Sequence, residues 1–270
     1  MSRLSINELT TYRWSFEEDV TRYKAAGIDG IGVWRQKLAD FGEEKGVELL
    51  ADSELAVSNL LWAGGFTGSD GRSYRDSVED ALEAVRLAAA LSADALIVYS
   101  GARSGHTHNH ARRLLVGAIQ EMQPLADELN VTLAIEPMHP GCATDWTFIT
   151  DLDDAVALLD ELNSPRVKMA LDTYHMGREA DLLERISQFA DRIAVVHLGD
   201  GREPPEKEQN RCLLGEGTIP LAEIIAALTA AGYAGFYDVE LMGEDVEQCD
   251  YAELIEHSKQ AFEQWTAGES

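Results

Sequence analysis

Short apolar runs and helical patterns alternate along the whole chain. Eight runs rich in β-branched and aliphatic residues predict strands at Leu4–Glu8, Gly30–Trp34, Ala56–Trp62, Ala95–Ser100, Thr132–Pro137, Val167–Asp172, Ile193–Leu198 and Phe236–Leu241. Apolar positions recurring every three or four residues predict a helix after each run, at Phe16–Ala26, Arg35–Lys45, Tyr74–Leu91, Asn109–Leu129, Leu152–Leu162, Asp181–Phe189, Leu221–Ala230 and Val246–Trp265. The pattern is clearest in the third helix, where Val78, Leu82 and Val85 recur at helical spacing.

Eight strand–helix units predict an α/β fold, a (β/α)8 TIM barrel that forms a single domain over residues 1–270. The predicted strands are almost continuously apolar, which is typical of a parallel sheet covered by helices. The alternative is an open doubly wound sheet. That fold normally has a glycine-rich phosphate loop after its first strand, and the sequence has none there.

The charge of the chain narrows the classes of partner. The 270 residues include 48 acidic and 22 basic side chains, a formal net charge of −26. Nucleic-acid backbones and anionic membranes repel such a surface, so we expect neither as a partner. The three cysteines form no CxxC pair, and the first twenty residues lack an apolar signal segment. These features predict a cytoplasmic protein.

Polar side chains follow the apolar runs of the last four predicted strands, where a barrel places its chemistry. They are Glu136, His139, Asp172, His175, His197, Asp200, Asp238 and Glu240. Buried charges are costly unless they are paired or bound to a metal. One histidine and three carboxylates suit one divalent metal ion, Mn²⁺, Mg²⁺ or Co²⁺, with positions left for substrate, and Zn²⁺ also fits.

The segments AIEP, ALDTYH, VVHLGDGR and DVEL resemble the sugar isomerase/epimerase superfamily with the xylose-isomerase-like TIM barrel. That superfamily includes ketose 3-epimerases, hydroxypyruvate isomerases, and inosose isomerases and dehydratases. The resemblance implies four metal ligands, which are Glu136, Asp172, His197 and Glu240. It also implies that His175 and Arg202 contact substrate. Oligomers are common among the resembling enzymes, so a homo-oligomer is compatible with this assignment.

Isomerisation or epimerisation of a sugar removes a proton from a carbon next to a carbonyl group. A divalent metal stabilises the oxygen charge of the resulting cis-enediolate. Glu136 and Glu240 follow strands on different sides of the metal, so we expect one to remove the proton and the other to return it. The sequence therefore predicts a metal-dependent enzyme that interconverts keto sugars or related polyol ketones.

Three alternatives remain. The same intermediate could expel a β-hydroxyl, which would make the protein a dehydratase or other lyase acting on a keto sugar or keto inositol. An AP endonuclease-like repair enzyme resembles this barrel too, but it uses a three-zinc site and a basic DNA-facing surface. A non-catalytic sugar-binding barrel would not need both carboxylates of the proton-transfer pair.

Two further groups are candidate substrate contacts. Trp62 ends the predicted third strand, where its ring could stack on a sugar. His106, His108 and His110 lie at the start of the fourth helix. Alternating histidines are not a recognised metal-ligand spacing, so helix capping is the simpler role for this group. We include His106 among the candidate substrate contacts.

Overall fold

The structure is a computed structural model that describes residues 2–207 and 209–267. Within these residues the strands are β1 Arg3–Asn7, β2 Gly30–Trp34, β3 Ala56–Gly64, β4 Leu96–Tyr99, β5 Leu133–Ile135, β6 Val167–Asp172, β7 Ile193–Leu198 and β8 Phe236–Val239. The α-helices are α1 Phe16–Ala25, α2 Arg35–Phe41, α3 Glu43–Ser53, α4 Tyr74–Ala90, α5 His108–Leu129, α6 Leu152–Leu162, α7 Thr173–Met176, α8 Leu182–Phe189, α9 Leu221–Ala230, α10 Glu244–Glu247 and α11 Tyr251–Thr266.

The strands form a closed parallel barrel in chain order, and β1 pairs with β8. This confirms the predicted (β/α)8 architecture. Alternate residues of each strand point to opposite faces of the sheet. Ile97, Ala134 and Val195 therefore fill the inside of the barrel, whereas Leu96 and Val98 pack in the larger core between the strands and the surrounding helices.

Two predicted helices are each divided in the structure. The predicted helix over Arg35–Lys45 is α2 followed by the start of α3, because Gly42 takes a φ of 107° and turns the chain between them. The predicted end was wrong, since α3 continues eight residues further, to Ser53. The predicted helix over Val246–Trp265 is α10 followed by α11. Asp250 begins α11, since its side chain accepts hydrogen bonds from the backbone N–H groups of Ala252 and Glu253.

Strand register places polar residues together at the carboxyl end of the barrel. Asp172 of β6 lies beside His197 of β7, which in turn lies beside Asp238 of β8. The loop after β7 is bound to the loop after β5 by a hydrogen bond from Lys207 N to Gly141 O, at 2.7 Å. The two loops therefore meet above the strand ends.

Among the described residues, none of the helices has the length and apolar character needed to span a bilayer.

Candidate metal centre

The four residues predicted as metal ligands lie together in the mouth of the barrel. Glu136 follows β5, Asp172 and His197 lie at the ends of β6 and β7, and Glu240 follows β8. All four are buried, and one ligand atom of each lies within 4.8 Å of the others. Ligands bound 2.0–2.6 Å from one ion are at most about 5 Å apart, so this group has the dimensions of a divalent metal site.

The charges in the centre are close together. His197 Nδ1 lies 3.0 Å from Glu136 Oε1 and 3.2 Å from Glu240 Oε2. Burial lowers the pKa of His197, but the charges of the two glutamates outweigh it and raise that pKa to about 10. Burial raises the pKa of Glu240 to about 7, although the charges of Arg211 and His197 act in the opposite direction. The centre therefore favours an added positive charge.

The unpaired atoms of the centre fit a bound cation. Within the described residues, Glu136 Oε2 is buried without a hydrogen-bond partner. A buried, unpaired carboxylate oxygen is costly in a folded protein. A divalent ion would satisfy this oxygen, and three carboxylates with one imidazole form a common donor set for such ions. The four residues could therefore hold one.

A layer of buried side chains behind the four predicted ligands, formed by Asp238, Ser5, Asn7 and Asn59, holds the ring of His197 in place. Asp238 is buried and accepts hydrogen bonds from Ser5 Oγ at 2.6 Å and from the Nδ2 atoms of Asn7 and Asn59, both at 2.8 Å. Its Oδ2 lies 3.9 Å from His197 Nε2. Carboxylates behind a metal-binding histidine orient its ring. The sequence marks Asp238 by its strand end, but it gives no sign that Asn7 and Asn59 belong to this layer.

Arg211 is the main residue of the centre that the sequence analysis missed. Its guanidinium is buried, and it donates from Nη2 to Asp172 Oδ2 at 2.8 Å and from Nη1 to the carbonyl oxygen of Glu240 at 2.9 Å. Nη2 also lies 3.0 Å from Glu240 Oε1. Burial favours a raised pKa for Asp172, but the charge of Arg211 outweighs it and lowers that pKa. The loop position of Arg211 has no periodic pattern that could have revealed this contact.

Arg202, the arginine that the resemblance implied, lies elsewhere. Its side chain is 51% exposed and forms ion pairs with Glu216, at 3.0 Å, and with Asp245. These contacts hold Arg202 against its own loop at Glu216 and join that loop to α10 at Asp245. The structure therefore brings Arg211, rather than Arg202, into contact with the predicted ligands.

His175 is brought to the centre. It lies in α7, is 2% exposed, and places Nε2 3.8 Å from Asp172 Oδ2. Burial lowers the pKa of His175 to about 4, so its imidazole is neutral near pH 7. A neutral imidazole has one donor and one acceptor nitrogen, which suits contact with a hydroxyl group.

Trp62 belongs to an aromatic group beside the centre. Its ring lies edge-on to those of Trp146 and Tyr99, with centroid distances of 5.1 and 5.8 Å. Burial and the charges of Glu136 and Glu240 raise the pKa of Tyr99 well above its ordinary value. Tyr99, which contacts Trp62, is thus within range of the glutamate charges, whereas Trp146 is 40% exposed.

The three histidines near the start of α5 contact neighbouring loops and helices. His106 Nε2 lies 3.2 Å from the carbonyl oxygen of Thr67, and its ring packs against His110 with centroids 4.7 Å apart. His108 Nε2 lies 3.3 Å from Asp154 Oδ2. The helix is capped by the hydroxyl of Thr107 instead. These contacts attach α5 to adjacent segments and do not connect the histidines to the metal centre.

Known proteins share this fold and parts of this sequence. A D-psicose 3-epimerase of Enterocloster bolteae is 32% identical over 46% of this chain and 38% of its own. A ketose 3-epimerase of Arthrobacter globiformis is 27% identical over 51% of this chain and 44% of its own. The matches thus cover about two fifths of the length of these curated relatives.

Similarity to solved structures extends over the whole barrel. Protein SMc04130 of Sinorhizobium meliloti 1021 superposes with a TM-score of 0.89 and 29% identity, over 97% of both chains. The family model described as xylose isomerase-like TIM barrel matches residues 20–264. The chain belongs to the xylose isomerase-like TIM barrel family.

Proposed function

We propose that this protein is a divalent-metal-dependent sugar isomerase or epimerase that interconverts keto sugars by proton transfer next to a carbonyl group. The observation that carries the proposal is the convergence of Glu136, Asp172, His197 and Glu240 on one buried point. The two 3-epimerases with partly matching sequences support the same class of reaction.

The two glutamates are suited to different halves of the proton transfer. Glu136 and Glu240 follow β5 and β8, so two strands of the barrel separate them. A bound ion supplies a Lewis acid that stabilises negative charge on the substrate oxygens. Arg211 and Asn7 hold Glu240 by contacts of 3.0 and 3.4 Å, and Glu136 Oε1 lies 3.0 Å from His197 Nδ1. One of the two glutamates would remove the proton and the other would return it, in an order set by the configuration of the substrate carbon.

Neutral and aromatic groups around the centre favour a polyhydroxylated substrate. His175 can bond a hydroxyl or carbonyl oxygen, and the Trp62 group offers a ring face to a sugar. The guanidinium of Arg211 is bonded to carboxylates, and Arg202 is paired with acidic side chains at the surface. These arginines are therefore poorly placed to bind a phosphate, and we propose an unphosphorylated ketose.

A deuterium-exchange assay on a panel of ketohexoses and ketopentoses tests the proposal. With Mn²⁺, Mg²⁺, Co²⁺ or Zn²⁺ in D₂O, we expect the wild-type protein to place deuterium on the epimerised or isomerised carbon. Glu136→Gln and Glu240→Gln should abolish this exchange, since an amide cannot transfer the proton. Glu216→Gln is the matched control, because Glu216 lies on the surface beside Arg202.

Two outcomes would contradict the proposal. One is full exchange in Glu136→Gln and Glu240→Gln, which would place the proton transfer elsewhere. The other is a product that has lost a hydroxyl group, which would identify a lyase. Mass spectrometry of the products separates these results, because epimerisation keeps the mass of the sugar apart from the deuterium gained.

A further inference from the structure

Two different groups face the two ring nitrogens of His175. Nε2 lies 3.8 Å from Asp172 Oδ2, and Nδ1 lies 3.5 Å from Cys142 Sγ. Cys142 is buried and comes from the loop after β5, six residues beyond Glu136. The imidazole is therefore held between a carboxylate of the metal centre and a thiol from another loop.

This arrangement favours one tautomer of His175. A neutral imidazole carries a single N–H, and the other nitrogen presents a lone pair. A lone pair on Nε2 would face the negative oxygen of Asp172, so the hydrogen belongs on Nε2. Nδ1 is then an acceptor, and the thiol of Cys142 lies close enough to donate to it.

The thiol has a choice of two acceptors. Cys142 Sγ lies 3.6 Å from the carbonyl oxygen of His139 as well as 3.5 Å from His175 Nδ1. If the thiol donated to the carbonyl oxygen of His139 instead, Nδ1 of His175 could carry the hydrogen. The lone pair of Nε2 would then face Asp172. Burial raises the pKa of Cys142 to about 11, so the thiol retains the hydrogen that it donates.

We propose that Cys142 is a positioning residue that donates to Nδ1 of His175 and so holds the Nε2–H tautomer. Within the described residues, His175 Nε2 is buried without a hydrogen-bond partner. Its N–H is therefore free to donate to a substrate oxygen at the metal centre. This last step rests on the proposed function, whereas the tautomer itself does not.

Nitrogen NMR of the 270-residue chain, labelled with ¹⁵N-histidine and bound to diamagnetic Mg²⁺, tests the tautomer directly. The His175 signals are assigned by their loss in His175→Gln. We expect a protonated Nε2 and an unprotonated Nδ1 in the wild-type protein. Cys142→Ser, which keeps a donor, should preserve this pattern, whereas Cys142→Ala should mix the two tautomers. Cys249→Ala is the control, because its thiol faces the carbonyl oxygen of Asp245 instead.

A protonated Nδ1 in the wild-type protein would overturn the proposal. So would an unchanged pattern in Cys142→Ala, because the thiol would then have no influence on the ring. If the thiol had only a structural role, Cys142→Ala would melt at a lower temperature but its nitrogen signals would not change. That result would also overturn the proposal. These readouts need no sugar, so their failure is distinguishable from failure of the proposed function.

Kinetics with an active ketose tests the consequence for substrate. An even mixture of tautomers in Cys142→Ala would halve the fraction of enzyme that has the donor in place, so kcat/KM should fall about twofold. Cys142→Ser and Cys249→Ala, which keep the hydrogen on Nε2, should both give kcat/KM values closer to wild type than Cys142→Ala does. Equal losses in Cys142→Ser and Cys142→Ala would contradict the role of the donated hydrogen.

Discussion

Nη2 of Arg211 donates to Oδ2 of Asp172 across 2.8 Å, inside the mouth of the barrel. Both side chains are fully buried, and the same guanidinium lies 3.0 Å from Glu240 Oε1. Arg211 is therefore a buried cation that offsets two carboxylates of the centre, Asp172 and Glu240, alongside the imidazole of His197. A bound divalent ion would share that role.

Removal of Arg211 should destabilise the protein, most strongly without metal. Arg211→Met leaves buried carboxylates uncompensated, so we expect the free energy of unfolding in EDTA to fall by about 3–5 kcal/mol. Added Mn²⁺ or Mg²⁺ should reduce the difference in unfolding free energy between Arg211→Met and the wild-type protein, because the ion supplies positive charge to Asp172 and Glu240. Guanidinium denaturation with and without metal measures both values.

Arg202→Ala is the matched control for Arg211→Met. Arg202 forms exposed ion pairs, which contribute at most about 1 kcal/mol. Its loss should leave the unfolding curve close to that of the wild-type protein in either condition. Similar losses in the two variants would contradict the role of Arg211 as a buried cation of the centre.

The apolar pattern predicted the strands well because burial and side-chain alternation act locally. The bounds of β2, β6 and β7 agree with the sequence prediction residue for residue. The convergence of residues at the carboxyl ends of the strands follows from the barrel itself, and the structure places Glu136 and Glu240 together as expected. The family assignment, which started from the strand-end segments, is confirmed as well.

The contact between Arg211 and the predicted metal ligands could not be predicted from the sequence in this way. Arg202 and Arg211 both lie in the loop after β7, where no repeating pattern fixes the direction of a side chain. Their different positions depend on long-range partners, since Arg211 reaches Asp172 across 39 residues of sequence. The break between α2 and α3 at Gly42 was also missed, because a single residue separates the two helices and an isolated glycine in a helical stretch is a weak signal for a break.

Metal removal should lower the stability of the wild-type protein. An ion that binds only the folded chain adds about 2.7 kcal/mol when its free concentration is 100 times Kd. Thermal melts in EDTA, followed by titration of Mn²⁺, Mg²⁺, Co²⁺ and Zn²⁺, should show an increase in Tm for the ions that bind. His197→Gln should reduce the increase, because it removes one of the four donors. An equal increase in Tm for wild type and His197→Gln with each of the four ions would contradict the assignment of His197 to the metal site.

Asp238→Asn should weaken metal binding even though we do not assign Asp238 as a ligand. Asp238 accepts hydrogen bonds from Ser5, Asn7 and Asn59, and an amide would present N–H groups to some of these donors. Loss of such a supporting group typically reduces metal affinity by about 10- to 100-fold. Isothermal titration calorimetry measures the change in Kd.

Asp200→Asn is the matched control for Asp238→Asn. Asp200 is also fully buried, but it accepts hydrogen bonds from the backbone N–H groups of Gly201, Gly215 and Gly217. Its replacement should destabilise the loop after β7, which also carries Arg211, so the loss of metal affinity should be present but smaller than that of Asp238→Asn. A larger loss of affinity in Asp200→Asn than in Asp238→Asn would refute the assignment.

Acid should weaken the attachment of β3 to α4. Asp80 accepts hydrogen bonds from Arg35 and Arg72, and these arginines also donate to the carbonyl oxygens of Trp62 and Gly64 at the end of β3. Burial favours a raised pKa for Asp80, but the bonds from the two arginines outweigh it and lower the pKa below its ordinary value of 3.8. The ionised form is therefore the one that folding stabilises.

The sign of the pH dependence follows from that lowered pKa. The contribution of Asp80 is complete above about pH 4 and is lost as the pH falls through the pKa of the folded state. A double-mutant cycle of Arg35→Gln and Asp80→Asn, measured by urea denaturation, should give a coupling of about 1 kcal/mol at pH 7. The coupling should decrease as the pH falls further below about 4, because protonation of Asp80 removes the charge that Arg35 binds. A coupling that grows as the pH falls would show that the pKa of Asp80 is raised in the folded protein.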